Sequence, residues 1–200
     1  MKVLPLFSYL FHPIFIPVFG TLAYLSWNEH YLETSQQLLL LTQIIIITVL
    51  IPISFFYLLK TLGRIDSVMV SNLSQRKIPL AIQIVLIFIL IRESITIDRI
   101  PELFFFFLGG LVSTVLTLLL LFGKIKASIH MTGISALTVF VIGLSLHNQL
   151  NLLHFIALML MLNGIIAASR LMMQAHSIKE LIIGFFIGAI PQLLLWYGWL

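Results

Sequence analysis

Cysteine is missing altogether from these 200 residues. Disulfides, thiolate nucleophiles and cysteine-ligated metal centres are therefore excluded, and nothing reports on the redox compartment. Charge is nearly missing too. Asp, Glu, Lys and Arg make up 9% of the chain, where a soluble domain carries about a quarter. No Lys/Arg-rich stripe accompanies the net charge of +4, so nucleic acid is not an expected partner. No glycine-rich loop precedes a helical pattern, and no His spacing makes a metal site, so neither a nucleotide cofactor nor a metal is expected. Period-2 alternation is absent from the apolar runs, which argues against a barrel. Low-complexity linkers and internal repeats are also lacking, which leaves residues 1–200 as one domain.

What fills the chain instead is hydrocarbon. It is 60% hydrophobic, with mean hydropathy +1.15. Two hundred residues of this kind cannot hide their apolar surface in one aqueous core, so the class is all-α: a polytopic membrane helical bundle. At about 20 apolar residues per span, candidate spans fall near 3–27, 37–60, 78–92, 101–123, 129–147, 151–173 and 179–199, giving six to seven transmembrane helices. The first is broken by Pro5, Pro13 and Pro17. It runs to Trp27, longer than a signal-peptide core, and reads as a retained span. The third is short and closes on Arg92, Glu93, Asp98 and Arg99. Gly184 and Gly188 form a GxxxG pattern suited to seating a neighbouring helix within a bundle.

With seven spans the polar connections sort onto two faces. One carries Lys2, Lys60, Arg64, Arg76, Lys77, Lys124, Lys126, Arg170 and Lys179; the other carries only Arg92 and Arg99 and five of the seven acids. The positive-inside rule places the first face in the cytoplasm. Parity has a second consequence: segments 64–79, 124–133 and 169–180 meet on one membrane face, where a single site can draw on all three.

The third of these segments, ASRLMMQAHSIKELIIGF, concentrates the chemistry. Ser169 and His176 are seven apart, and His176 and Glu180 four apart, spacings that share a helical face. A carboxylate there holds one imidazole nitrogen as a donor and leaves the other as a nucleophile. Arg170 offers a planar fork for phosphate oxygens. The plainer reading makes Arg170 and Lys179 snorkelling span-end cations and His176 an interfacial residue. In KIKASIHMTGISA, His130 reads from the residues alone as a packed interfacial histidine, beside Lys126 and Thr132-Gly133. In NLSQRKIPL, Arg76 and Lys77 are either phosphate donors or ordinary positive-inside flanks.

The pattern S-R-x5-H-x3-E resembles the third signature of the type-2 phosphatidic acid phosphatase (vanadium haloperoxidase-related) superfamily, S-R-x5-H-x3-D. Ser169, Arg170 and His176 match it, and Glu180 stands where the family has Asp. By chance Ser-Arg-x5-His arises in roughly one chain of this length in a hundred, so the match is moderately specific. The family's second signature, P-S-G-H, is echoed by Thr132-Gly133 with Ile134 in the His place, and His130 lies one turn earlier. Segment two also resembles the K-x-S-x-H-x-x-G pattern of short, divergent members. The first signature, K-x6-R-P, is echoed at Pro79, with Ser71 and Ile78 in the Lys and Arg places and Arg76 and Lys77 beside them.

The resemblance covers about residues 64–190 and implies a bacterial inner-membrane phosphatase that uses no metal or other cofactor. Its substrate would be a lipid phosphate or isoprenoid (pyro)phosphate drawn from the surrounding membrane lipids. His176 would attack phosphorus, Glu180 would steady the imidazolium, and His130 would protonate the leaving oxygen. Arg170, Ser169, Gly133, Thr132, Lys126, Arg76 and Lys77 would hold the phosphate. Bacterial relatives act on the outer face, in conflict with the charge count. The degraded first and second signatures leave open a catalytically degenerate lipid-phosphate binder or transporter. The remaining histidines (His12, His30, His147 and His154) supply a third reading, a small proton-coupled transporter. His12 with Pro13 and Pro17 is otherwise read as shaping a kinked first span. Trp196, Tyr197 and Trp199 read as an interfacial aromatic belt.

Overall fold

The computed structural model describes residues 3–28, 32–64 and 73–200. Lys2, His30 and residues 65–72 of the 61–77 connection, Ser71 among them, lie outside them. Among the described residues the chain is all helix: α1 (Leu4–Leu10), α2 (Ile16–Trp27), α3 (Thr34–Ile45), α4 (Ile51–Thr61), α5 (Lys77–Glu93), α6 (Pro101–Phe122), α7 (Ile129–His147), α8 (Leu153–Met172) and α9 (Ile178–Leu195). Five of the resulting units are long and apolar enough to cross a bilayer, and a sixth is α1 with α2, bent by 40°. The fold is that of a multi-pass membrane protein. At 17 residues, α5 reaches about 25 Å at 1.5 Å per residue, short of a standard span.

Two local devices shape the early helices. Between α1 and α2 the chain turns through a 3-10 segment, Pro13–Phe15, because Pro13 and Pro17 withhold the amides a continuous helix would need. The second predicted span runs unbroken in direction from Thr34 to Thr61 but contains a wide π turn at Ile46–Leu50. Pro52 sits just beyond it, inside the continuous helix, where the wide turn accommodates the ring and the missing amide.

The bundle is built around α7. Most of that helix is enclosed, with α8, α9, α2 and α6 packed around it. Its contact with α9 depends on Gly184 and Gly188. A Cβ at Gly184 would meet the Ser128 carbonyl, and one at Gly188 the Thr132 carbonyl and Ser135 hydroxyl. The GxxxG pattern thus seats a neighbour within the chain. Thr132 Oγ1 donates to Gly184 O (3.0 Å), Ser135 Oγ to Phe185 O (2.9 Å), and Ser113 Oγ of α6 to Ile187 O (2.8 Å). In a medium with no water these interhelical bonds replace the hydrophobic effect as the cohesive force.

At the far end, Trp199 is buried against Phe140 and His147 and lies over Gly143. It therefore plugs the bundle instead of joining an interfacial belt, whereas Tyr197 is fully exposed.

Candidate functional site

Helices α6 and α8 both end in a left-handed residue, Lys124 (φ 58°) and Gln174 (φ 52°). Ile125 N–H then bonds back to Leu120 O (2.9 Å), and Ala175 N–H to Arg170 O (3.1 Å). The reversal satisfies terminal carbonyls and brings the 124–128 and 173–177 connections together. Lys126 Nζ donates to Ala175 O (2.8 Å), and Ser128 N–H to Glu180 O (3.0 Å).

Helix α9 starts with a capping box. Ser177 Oγ accepts from Glu180 N–H, and the Glu180 carboxylate accepts from Ser177 N–H, each at 3.4 Å. The same oxygen, Oε2, accepts from His176 Nδ1–H at 2.7 Å and lies 3.4 Å from Lys126 Nζ. A glutamate at the third helical position suits both tasks, because its extra methylene lets it reach back past the cap. His176 is 7% exposed. Burial pushes its imidazole down to about 4, ahead of the Glu180 hydrogen bond that works the other way; Lys126, Arg76 and Arg170 depress it further. At neutral pH the ring is uncharged, with Nδ1 committed to Glu180 and Nε2 left with its lone pair.

These groups border a cavity of about 760 Å³. His12, Arg76, Lys126, His130, Arg170 and His176 line its polar end. Burial lowers the Arg76 pKa from its ordinary value, while the Glu180 carboxylate supports its charge. Below the polar end the lining turns apolar, with Pro52, Phe56 and Leu59 of α4, Pro79 and Ile87 of α5, and Phe106 and Phe107 of α6. The cavity extends to Gln192, whose side-chain amide donates to Phe106 O at 2.8 Å. Along α9, Gln192 lies twelve residues, about 18 Å of helix rise, beyond Glu180. Comparison with known proteins finds no matching family model, curated protein or solved structure.

The three sequence segments therefore do meet, but not every residue singled out points at the cavity. Arg76, Lys126, His130, Arg170 and His176 converge there. Thr132 and Gly133 also line it, yet the Thr132 hydroxyl is committed to Ser128 O (3.1 Å) and Gly184 O. A Cβ on Gly133 would stand 2.9 Å from Ile16, so this glycine admits the first span. Ser169 is fully buried, and its Oγ lies 2.6 Å from Ser8 Oγ of α1. Its hydroxyl is occupied in docking the N-terminal helix. Lys77 lies outside the lining, its ammonium 4.5 Å from the centroid of the Phe122 ring.

Sequence reasoning missed the contribution of the first span. His130 Nε2–H donates to the backbone oxygen of Ser8 (3.0 Å), and the His12 ring stands edge-on to His130 with centroids 5.2 Å apart. The one available signal was His12 beside Pro13, which marks a bend with a polar side chain at it. Among the described residues no three His, Asp or Glu side chains are grouped as metal ligands. His147, at the opposite end, lies 3.3 Å from buried Glu102, and His154 is exposed.

Proposed function

We propose that the protein is a membrane-embedded phosphatase of the type-2 phosphatidic acid phosphatase kind, acting on a lipid phosphate or isoprenoid (pyro)phosphate in a bacterial inner membrane. One observation carries the reading: a single cavity joins three cations and an acid-oriented, uncharged histidine to a largely apolar lining that reaches Gln192. Such a shape takes an amphiphile whose anionic head sits at the interface while its tail remains in hydrocarbon.

In the proposed reaction His176 Nε2 attacks phosphorus and the bond to the leaving oxygen breaks. Glu180 compensates the charge that develops on the imidazole. His130, with Nε2–H held by Ser8 O and a lone pair on Nδ1, takes up the proton that the phosphate monoanion brings with it and passes it from Nδ1 to the departing oxygen. Water then attacks the phosphohistidine, giving up a proton to His130, and phosphate leaves. Arg170, Arg76 and Lys126 hold the equatorial oxygens throughout.

Protein purified in detergent should release phosphate from a panel of lipid phosphates, and His176→Ala should abolish the release. Undiminished release by that variant would sink the phosphohistidine route. A specific departure favours one alternative: Ile134, in the second-signature histidine place, is fully buried in the core. Binding of lipid phosphate without turnover by the intact protein would identify a degenerate binder or transporter.

A further inference from the structure

The second side chain at the leaving-group end of the cavity is His12, and its tautomer is fixed by the fold. His12 caps the 3-10 segment Pro13–Phe15, and its Nδ1 accepts the Ile14 amide at 3.3 Å. An imidazole nitrogen that accepts a hydrogen bond carries its lone pair, so in the neutral ring the proton is on Nε2. That N–H lies on the far side of the ring from the cap. The residue itself lines the cavity beside Arg170 and His130. Among the described residues no acceptor bonds His12 Nε2.

We propose that His12 is a substrate-binding residue: its Nε2–H donates a hydrogen bond to an oxygen of the bound phosphoryl group. The inference rests on the phosphatase reading and adds to it a group from the first span. His12 supplies a donor and not a proton, because protonating Nδ1 would break the bond to Ile14. His130 therefore remains the acid, and His12 stabilises the negative oxygen next to it. A neutral donor at this point has a physical advantage. Arg170, Arg76 and Lys126 already crowd the cavity with positive charge, and an imidazole adds a hydrogen bond without adding a fourth cation.

Two substitutions separate this role from that of the cap. In His12→Asn the side-chain oxygen can still accept the Ile14 amide, but nothing reaches the Nε2 position. In His12→Gln the amide nitrogen falls near Nε2, while the short cap is lost. The probe is orthovanadate, which takes the place of the transferring phosphoryl group, with its Kd measured on the full chain in detergent by calorimetry. His12→Asn should keep the wild-type melting temperature and weaken vanadate about tenfold, the effect expected of one hydrogen bond to a charged group. His12→Gln should bind within about threefold of wild type while melting lower.

The reverse pattern, with Asn binding normally and Gln impaired, overturns the proposal and leaves His12 a cap alone. Arg170→Ala is measured beside them. If it loses vanadate while both His12 variants keep it, only the His12 inference fails. If Arg170→Ala also binds as well as wild type, the phosphate site itself is misplaced.

Discussion

Glu180 serves three groups with one carboxylate: it orients His176, closes the cap of α9 and faces Lys126. On the proposed mechanism, Glu180→Gln removes the charge that would steady the imidazolium. It should cut phosphate release by about two orders of magnitude, read as kcat on a lipid phosphate. His176 also sets a pH signature. Its folded value of about 4 lies below the ordinary 6.5, so as pH falls the unfolded chain binds a proton first. Stability at neutral pH is therefore lost progressively between about pH 6.5 and 4 and levels off below. Melting temperatures in detergent from pH 7 to 4.5 should show the decline, with a shallower slope in His176→Asn. The same low value keeps Nε2 unprotonated, so kcat/KM should hold on the acid side down to about pH 5. The His176–Glu180 pair was legible because its bond spans only four residues, made across the cap of α9; Ser169 does not share a helical face with His176, because α8 ends at Met172. Ser8 and His12 were not legible, because their partners Ser169 and His130 lie well over a hundred residues away and no periodicity reports a contact across that distance.

Helix packing makes its own predictions. Gly188 faces backbone that cannot move aside, so Gly188→Ala should lower stability by about 2 kcal/mol through overpacking. Gly164 of α8 is the matched control. It is exposed and a Cβ there meets nothing, so Gly164→Ala should be neutral or add up to about 1 kcal/mol through helix propensity. Chemical denaturation in mixed micelles distinguishes the two. Six of the seven apolar stretches were readable as spans from run length, since hydrocarbon demands a helix of known reach; the short stretch at 78–92 forms α5, a helix below spanning length. What run length conceals is the interruption inside a run. The π turn at Ile46–Leu50 sits in an unbroken apolar stretch. The burial of Trp199 depends on a glycine, Gly143, more than fifty residues earlier, which is why an interfacial belt was the natural expectation for its sequence neighbourhood.

At the scale of the whole molecule the cavity and the topology are the testable objects. Thr114 of α6 lines the apolar part of the cavity, away from the cations. Thr114→Trp should lower kcat/KM for a long-chain lipid phosphate about tenfold while sparing a short soluble ester such as para-nitrophenyl phosphate. The missing cysteines help with sidedness, because every introduced thiol is the only one. Lys124→Cys and Gln174→Cys should label from the same side of a sealed vesicle and Gln149→Cys from the other. The charge count places the first pair in the cytoplasm. The last consequence concerns the order in which the chain is made. Hydroxyls of α7 find their partners on α9, which is synthesised two helices later. In the meantime Thr132 can bond its own Ser128 carbonyl. The carboxylate that orients His176 is set in place by the first turn of α9. On the proposed phosphatase reading, a half-inserted chain would have its cations and apolar walls but no oriented histidine, and membrane phosphates around it would be spared until α9 is in place.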